Sequence, residues 1–405
     1  MNTKTKASGG QRGDKVRSDC YFEIELTDTG GVILDLKSKV HVMYGESIKN
    51  LIVDMCGFFS LTNANIFCED NGALPSTIMA RFELVIKRLG IDNGKQYLPA
   101  FNKTNNYGTT KDKLRRSRLY LPGNEPKFYP NAGLHQPDGI ILDLEDSVSP
   151  SEKDAAQLLV RNSLRSINFY GAERMVRINQ LPLGLNDLQY VIPNNVNVVL
   201  IPKCESAEQI ISASNAVQKI KEELKLKNEI YFMPIIESAL GVEKSYEIAS
   251  ASDKICALAV GLEDYTADIG VERTNKGNES FVARSKIVNA AKAAGIQAID
   301  TVFSDVNDMD ALRESVYEAK SMGFEGKGCI HPRQIKVVHE ALAPTSQEIE
   351  KAKKIVAAYE DAKSRGLGVV SIGSKMIDAP VVKRAHRVIK LAILNKQIQE
   401  NWNEI

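Results

Sequence analysis

The pattern of apolar and polar residues changes near residue 114 and predicts two domains of different kinds. Upstream of this point, "YFEIEL" and "GVILDL" alternate apolar and polar residues, as half-buried strands do. The segments "GESIKNLIVDMCGFF" and "PSTIMARFELVIKRL" space their apolar residues at helical intervals, and "NIFCED" adds a further strand. These elements predict a small α+β domain within residues 1–91.

Two polar segments flank that domain and lack any apolar period. Residues 1 to about 19 are polar and contain glycine, so we expect a mobile tail. Residues 92–113 are rich in Asn, Gly, Lys and Thr, which predicts a flexible linker between the domains.

Residues 114–405 repeat one unit, a short apolar run followed by an amphipathic helix. The predicted strands are "RLYLPG", "GIILDLED", "MVRIN", "NVVLIPK", "YFMPIIES", "ALAVGLED", "QAIDTVFSD" and "KGCIHP". Nearly continuous apolar runs are typical of parallel strands buried on both faces. Eight such units predict a (β/α)8 TIM barrel, and two further helices extend the chain beyond it.

Composition and charge argue against nucleic-acid binding, membrane binding and secretion. The net charge of +1 gives no electrostatic basis for binding nucleic acid or an anionic membrane. The sequence has no run of about 18 apolar residues, so we expect no transmembrane helix and no secretory signal. The six cysteines lack CxxC spacing and are expected to be reduced core thiols. The predicted location is the cytoplasm.

Charged residues gather where the predicted barrel strands end. They are Asp143, Glu145 and Asp146 after strand two, Arg177 on strand three, Lys203 after strand four, Glu237 after strand five, and Glu263 and Asp264 after strand six. The strand ends of a barrel meet at one face, where active sites lie. So many acids at one mouth would repel one another, which predicts a bound cation.

Two of these acids are candidate ligands for a hard cation. Glu237 and Asp264 end adjacent strands and can share Mg²⁺, with water and substrate oxygens completing the coordination. The histidines are dispersed along the chain, which argues against a zinc or iron site. Any single acid here has an alternative reading as a helix cap or a solvated loop residue. Arg177 suits a carboxylate or an enolate oxygen, or a salt bridge to Glu145 or Asp146.

Eight motifs of the barrel segment recur together in a known family. They are "RRSRLYLPGN", "PDGIILDLEDSVSPSEKDAA", "VRIN", "LIPK", "IES", "GLEDY", "AGIQAIDTVFSD" and "GKGCIHPRQI". Over residues 114–395 the chain resembles the citrate lyase β-subunit, within the HpcH/HpaI aldolase and malyl-CoA lyase superfamily. "GSKMIDAP" resembles a further segment of that superfamily.

The first domain resembles the citrate lyase acyl carrier protein, the γ-subunit. "VRSDCYFEIEL", "LDLKSKVHVMYGESI" and "EDNGALPSTIMARFELVIKRL" carry this resemblance. In that family a serine before the first strand bears a phosphoribosyl-dephospho-CoA arm, and Ser18 is the matching serine. The resemblance therefore implies a covalent prosthetic group on Ser18.

The two resemblances together imply a carbon-carbon lyase of the oxo-acid-lyase class. It would cleave citryl on the carrier to oxaloacetate and an acetyl thioester by Mg²⁺-dependent retro-Claisen chemistry. The resemblance implies the following roles: Arg177, Asp378, Glu145 and Asp146 catalytic; Arg177, Glu237, Arg116 and Lys203 substrate-binding; Glu237 and Asp264 metal ligands. Within that set, Asp378 would protonate the enolate in a neighbouring subunit.

Partners and alternatives follow from the same resemblance. No transferase motif is visible in the chain, so a citrate lyase α-subunit-like CoA transferase is the expected partner, with a homo-oligomer such as a trimer or hexamer. One alternative substrate is a citramalyl thioester, which gives pyruvate. Another alternative is a stand-alone lyase of free malyl-CoA or citramalyl-CoA with a vestigial carrier domain. A non-enzyme alternative is a scaffold that docks the transferase.

Overall fold

The N-terminal domain is a four-stranded sheet covered by two helices. The computed structural model describes residues 4–364, 370–372 and 375–402. The elements of this domain are β1 (Lys6–Gly10), β2 (Cys20–Leu26), β3 (Val32–Ser38), α1 (His41–Phe58), β4 (Ala64–Asp70) and α2 (Pro75–Leu89). The strand order is β1-β2-β4-β3, and only the pair β3–β4 is parallel. Apolar residues of both helices and of the strands form one core, which confirms the small α+β region.

The N-terminal segment is partly ordered, so the prediction of a mobile tail up to residue 19 is wrong. Residues Lys6–Gly10 form β1 and pair antiparallel with β2. Glycine makes this pairing possible, because a side chain on Gly10 would collide with the carbonyl of Cys20. The polar composition of the segment conceals these backbone contacts.

The second domain is a closed barrel of eight parallel strands. They are β5 (Ser117–Pro122), β6 (Gly139–Asp143), β7 (Glu173–Arg177), β8 (Val198–Ile201), β9 (Tyr231–Ile236), β10 (Ala257–Val260), β11 (Gln297–Asp300) and β12 (Gly326–Cys329). The barrel closes where β12 pairs with β5, with Lys327 opposite Ser117. All eight strands overlap the predicted runs, although β5, β7 and β12 begin one or two residues earlier, and the TIM-barrel prediction is confirmed.

Helices surround the barrel and extend beyond it. They are α3 (Lys153–Ser166), α4 (Gly184–Val191), α5 (Ala207–Glu223), α6 (Ala239–Glu243), α7 (Ser245–Ser250), α8 (Leu262–Asp268), α9 (Phe281–Ala293), α10 (Met309–Met322) and α11 (Arg333–Leu342). Between β5 and β6 the chain makes only two short 3-10 turns, Pro126–Phe128 and Ala132–His135. The first strand therefore has no α-helix of its own in this connection.

The N-terminal domain docks on the barrel beside that connection. Its helix α2 packs against α3 through an apolar cluster of Ala80, Leu84, Ala155, Leu158 and Leu159. Small alanines on both helices permit a close approach of their backbones.

Charged pairs surround this apolar contact. Arg161 of α3 donates to both oxygens of Glu83 on α2, at 2.7 and 2.8 Å, and both side chains are fully buried. Arg88 and Asp154 form a second, more exposed bidentate pair at 2.8 Å. A buried ion pair is costly to break, so these contacts fix the position of the domain.

The segment between the domains is packed rather than free, which corrects the prediction of a flexible tether for residues 92–113. Asn105 is buried, and its amide bonds the backbone of Ile167 and Phe169. The Tyr107 hydroxyl donates to the carbonyl of Ala172 at 2.7 Å. Asn and Tyr side chains thus satisfy backbone groups that follow α3, a role that composition alone does not reveal.

The C-terminal helices form a hairpin outside the barrel. Its elements are α12 (Ser346–Ser364), β13 (Val370–Ile372), β14 (Lys375–Ile377) and α13 (Ala379–Leu394). The helices α12 and α13 share their own apolar cluster, which includes Ile355, Val382 and Ile389. Near its carboxyl end α13 also contacts the barrel, where Asn395 hydrogen-bonds Arg116. The two predicted C-terminal helices are therefore present.

Candidate active site

A cavity of about 330 Å³ opens at the carboxyl ends of the barrel strands. Residues from seven of the eight strands or the loops that follow them line it, and its polar walls include Arg118, Tyr120, Asp143, Arg177, Glu237 and Asp264. The barrel topology brings these residues together although they are distant in sequence.

Arg177 ends β7 and is held by two acids of the neighbouring strand. Its Nε and Nη2 donate to Asp143 at 2.6 and 2.7 Å, and its Nη1 lies 2.9 Å from Glu145 Oε2. Burial opposes the charge of Arg177, but the bond to Asp143 raises its pKa above the ordinary value. These contacts take three of the five N–H donors of the guanidinium and leave one on each terminal nitrogen. Arg177 therefore presents a fixed positive fork to the cavity.

Asp143 is the main partner of Arg177. The sequence placed Asp143 at the mouth, but the salt bridge of Arg177 was expected to Glu145 or Asp146. The carboxylate of Asp143 also accepts the backbone N–H groups of Glu145 and Ser147, at 3.0 and 3.2 Å. Burial acts against its ionised form, but Arg177 and these donors hold the pKa of Asp143 below its usual value. The parallel register, in which Asp143 lies opposite Arg177, is the signal that could have identified this pairing.

Lys203 joins three further acids at the mouth. Its Nζ lies 3.0 Å from Glu145, 3.3 Å from Asp146 and 3.6 Å from Asp264. Burial would lower its pKa, but attraction to these carboxylates raises it. The two side-chain cations Arg177 and Lys203 thus contact four of these acids and offset part of their negative charge, so the repulsion among the acids is smaller than the sequence suggested.

Glu237 is the acid that lacks a side-chain cation. It is 5% exposed, and its Oε1 accepts the backbone N–H of Lys203 at 2.6 Å. Burial, and to a smaller extent the charge of Asp264, raises the pKa of Glu237 to about 8. A side chain at position 261 would collide with Glu237 Oε2, so Gly261 makes room for this carboxylate. A buried acid of this kind is stabilised by a cation.

Asp264 was predicted at the end of a strand, but it lies in the helix that follows. The strand β10 ends at Val260, and Asp264 falls in the first turn of α8 together with Glu263. Glu263 and Asp264 both line the cavity with Glu237, but Glu263 is paired with Arg273 at 2.6 Å.

Glu237 and Asp264 fit a hard cation, because both offer oxygen ligands to one space. Within the described ranges, no group of three His, Cys, Asp or Glu side chains is arranged to hold a metal. Two protein ligands would leave the remaining positions of Mg²⁺ to water and substrate.

Arg116 does not reach the cavity, which contradicts its predicted substrate-binding role. It precedes β5 and therefore lies at the amino end of the barrel. Its guanidinium pairs with Asp138 at 2.8 Å through both Nε and Nη2. The arginine that reaches the cavity is Arg118, two positions later, which lies on β5 itself and is therefore one step nearer the mouth.

Asp378 also lies away from the cavity of its own chain. It caps α13, where its carboxylate accepts the N–H of Val381 at 3.2 Å. Its predicted role in a neighbouring subunit stays a prediction. In the same motif, Ser374 lies outside the residues that the structure describes, as does the side chain of Lys375.

Ser18 lies on the docked domain close to the mouth of the barrel. Its N–H donates to the carbonyl of Asn71 at 3.0 Å, and its hydroxyl has no hydrogen-bond partner among the described residues. The next residue, Asp19, pairs with Arg81 at 2.7 Å. Arg81 in turn contacts the carbonyl of Asn124 at 3.5 Å, and that residue follows β5 at the mouth.

Comparison with known proteins supplies the family. The model of the HpcH/HpaI aldolase/citrate lyase family matches residues 116–332. The chain belongs to this family. The model of the malonate decarboxylase delta subunit, an acyl carrier protein family, matches residues 11–89. The carrier-like resemblance of the first domain is thereby confirmed.

Curated relatives of this family place the chain among lyases. The citrate lyase subunit beta of Leuconostoc mesenteroides subsp. cremoris is 40% identical over 73% of this chain and 98% of its own length. The mitochondrial citramalyl-CoA lyase of Mus musculus is 32% identical over 74% of this chain and 92% of its own. The family member described here is a lyase.

Solved structures of family members agree with the barrel. The CitE protein of Mycobacterium tuberculosis in complex with magnesium, acetoacetate and coenzyme A has a TM-score of 0.58 and 28% identity, and covers 70% of this chain and 99% of its own. The same protein with magnesium and pyruvate has a TM-score of 0.52 at 28% identity, over 69% and 100%. Magnesium is thus bound in relatives of this fold.

None of the helices in the described part of the chain is both long enough and apolar enough to cross a bilayer.

Proposed function

We propose that this family member cleaves a citryl thioester carried by its own N-terminal domain. The products would be oxaloacetate and an acetyl thioester. The observation that supports this proposal is a carrier-like domain, docked with Ser18 beside the mouth of a cavity that holds Arg177 and Glu237. A carrier domain has no evident use in an enzyme that acts only on free CoA esters.

Arg177 is the proposed partner of the thioester oxygen. When the carbon-carbon bond breaks, this oxygen takes on the negative charge of an enolate. The two N–H donors that Asp143 and Glu145 leave free can bind it, and they are fixed before the reaction starts. Glu145 positions Arg177 directly, whereas Asp146 acts through Lys203. Lys203 itself is a proposed contact of the substrate.

Glu237 and Asp264 are the proposed ligands of Mg²⁺. The bound metal would supply a Lewis acid for the hydroxyl and carboxylate of the oxo-acid half. Glu237 must be ionised to bind it, so metal binding would displace the proton that burial favours.

Proton balance requires one more residue. The hydroxyl group must lose a proton as the bond breaks, and the enolate carbon must gain one, so a carboxylate that takes the hydroxyl proton and returns it to that carbon balances the reaction. Asp378 is the proposed donor, from the C-terminal hairpin of a neighbouring copy, since it does not line the cavity of its own chain. This role makes a homo-oligomer, such as a trimer or hexamer, part of the proposal.

Ser18 is the proposed attachment point of a phosphoribosyl-dephospho-CoA arm. Its free hydroxyl and its place near the mouth support this assignment. A separate citrate lyase α-subunit-like CoA transferase would recharge the carrier. The six buried free cysteines suit a reducing compartment, and we propose the cytoplasm.

Mass spectrometry of the intact native protein tests the carrier role. We expect an added mass that is absent from Ser18→Ala, and loss of cleavage of carrier-bound citryl in that variant. Ser8→Ala, on β1 of the same domain, is the matched control and should keep both. An unmodified Ser18 together with turnover of free CoA esters would instead establish a stand-alone lyase.

The substrate and the catalytic role need a second measurement. Identification of the oxo-acid product separates citryl cleavage, which gives oxaloacetate, from citramalyl cleavage, which gives pyruvate. If Arg177→Ala and Glu237→Ala both left cleavage by the complex unchanged, the chain would be a scaffold that docks the transferase.

A further inference from the structure

Arg118 is a buried cation at the floor of the same cavity. It lies on the inward face of β5, two residues before Tyr120, and only 1% of its surface is exposed. Both residues line the cavity together with Arg177. None of the roles proposed above uses Arg118.

Arg118 has poor acceptors for a buried guanidinium. Its Nη1 lies 2.9 Å from the thioether sulfur of Met233, a weak acceptor, and its Nη2 lies 3.4 Å from the carbonyl of Asp300. Its Nε is buried without any partner among the described residues. Burial lowers the pKa of Arg118.

Other fully buried arginines of this chain are better satisfied. Arg81, Arg115 and Arg161 each pair with a carboxylate at 2.7 or 2.8 Å. Arg174 donates to the carbonyls of Asn195 and Tyr107 at 2.6 and 2.8 Å. A buried charge without a counter-ion is costly. Arg118 lacks the carboxylate that Arg81, Arg115 and Arg161 have, and it also lacks the close carbonyl acceptors of Arg174.

Space beside Arg118 is kept open by glycine. Its partners in register on the two flanking strands are Gly139 and Gly328. A Cβ atom at Gly139 would lie 2.6 Å from Met175 and 3.7 Å from Arg118 Cγ, and one at Gly328 would lie 2.6 Å from Val302. Larger residues at either position would fill the layer into which Arg118 projects.

Tyr120 links this floor to the mouth. Its ring centre is 5.5 Å from the Arg177 guanidinium carbon. Burial raises the pKa of Tyr120, and the positive charges of Arg118 and Arg177 both act against that rise. One tyrosine side chain thus lies between two guanidinium groups, one at each end of the cavity.

We propose that Arg118 binds the terminal carboxylate of the oxo-acid half of the substrate. This assignment rests on the proposed lyase function. The thioester must enter from the mouth with its sulfur outward, so the far end of the acyl chain points to the floor. In a citryl group that end is a carboxymethyl group, and in a citramalyl group it is a methyl group. A guanidinium at the floor favours the carboxylate and therefore selects citryl over citramalyl.

The test compares two substrates with one variant. Arg118→Met keeps an apolar side chain of similar length beside Met233 and removes the charge. In the holoenzyme complex we expect kcat/KM for the citryl thioester to fall roughly 100-fold, as for loss of a buried charged hydrogen bond. The value for the citramalyl thioester should fall less than tenfold. Arg118→Lys should recover part of the preference.

A matched control separates binding from stability. Arg174→Met removes another fully buried arginine, which does not line the cavity, and should change both substrates equally. Equal losses on both substrates in Arg118→Met would overturn the proposal and leave Arg118 a structural residue.

A binding measurement keeps this inference distinct from the proposed function. With Mg²⁺ present, titration calorimetry should show tighter binding of oxaloacetate than of pyruvate, and Arg118→Met should abolish that difference. A wild-type protein that cleaves neither thioester would refute the proposed function. The other outcome is that the wild type cleaves both thioesters and Arg118→Met still binds oxaloacetate more tightly than pyruvate. This result would refute only the role of Arg118.

Discussion

At the residue scale, the charges of the site divide into paired and unpaired groups. Arg177 and Lys203 are each held by two or more carboxylates. Glu237 has only a backbone donor, and Arg118 has no carboxylate at all. Each paired group already has an oppositely charged partner in the free protein. The unpaired acid and the unpaired base are therefore the groups that gain most from a ligand of opposite charge.

Glu237 should make magnesium binding depend on pH. Its pKa is raised from 4.5 to about 8, so the folded protein keeps the proton between these values while the unfolded chain has lost it. Without metal, stability should fall as pH rises from about 4.5 to 8 and then level off. Magnesium affinity should rise over the same interval, by up to about tenfold per pH unit, because binding requires the ionised form. Titration calorimetry and thermal unfolding across this range measure both effects.

Glu237→Gln provides the control for this prediction. The amide keeps the shape but does not titrate, so metal-free stability should lose the fall between pH 4.5 and 8, and magnesium binding should be lost. Glu263→Gln, an exposed acid of the same mouth, should keep the wild-type profile. A magnesium affinity independent of pH in the wild type would show that Glu237 does not titrate as argued.

At the scale of elements, the contact between α2 and α3 joins the two domains. The pair Glu83–Arg161 is fully buried in this contact, and Glu83 also accepts the N–H of Tyr97 at 2.9 Å. The two helices are distant in sequence, and each reads as an ordinary amphipathic helix. Only their packing shows that the polar residues Glu83 and Arg161 are interior.

Loss of one partner of the buried pair should weaken the docking. Arg161→Ala leaves Glu83 buried without a cation, which should cost about 3–5 kcal/mol. Arg88→Ala removes a partly exposed pair of the same interface and should cost at most about 1 kcal/mol. Urea unfolding, with hydrogen exchange read separately for α2, measures both variants. Equal effects of the two substitutions would contradict the assigned burial.

At the scale of the whole molecule, the carrier-like domain is held against the barrel that it is proposed to serve. The segment after α2 packs along the barrel through Asn105 and Tyr107 instead of forming a free tether. Ser18 consequently lies near the loop that follows β5 at the mouth. We expect the arm to serve the barrel of its own chain.

Complementation between two inactive variants tests this expectation. Ser18→Ala lacks the arm and Arg177→Ala lacks the proposed oxyanion partner, so each should be inactive on carrier-bound substrate. Mixed complexes assembled from both variants should stay inactive if delivery is within one chain. The control is co-assembly of the wild type with either variant, which should retain activity in proportion to the wild-type share. Recovered activity in the mixed complexes would show that the arm reaches a neighbouring barrel.

Local pattern was sufficient for most elements of the fold. The helix α2 begins and ends where the apolar period of "PSTIMARFELVIKRL" does, from Pro75 to the residue before Gly90. Each barrel strand overlaps one of the eight predicted runs. Hydrophobic periodicity and turn residues act over a few positions, so the sequence alone shows them.

The sequence predicted the residues of the site only in part. The strand ends identified Arg177, Lys203, Glu237 and Asp264 as members of one mouth, and all four lie there. Arg116 was placed there wrongly, because it precedes β5 and pairs with Asp138 at the amino end of the barrel, and the sequence alone does not show where the strand begins.

The sequence by itself determined the two-domain order, the barrel, the family resemblance and the acids and bases of the mouth, since these depend on composition and short-range pattern. Only the tertiary structure decided that Asp143 holds Arg177, that Arg118 is buried without a counter-ion, and that the N-terminal domain docks with Ser18 near the mouth. The reason is physical. Charge pairing and burial depend on which distant segments meet, and the packing of the whole chain, not the order of its residues, fixes those distances.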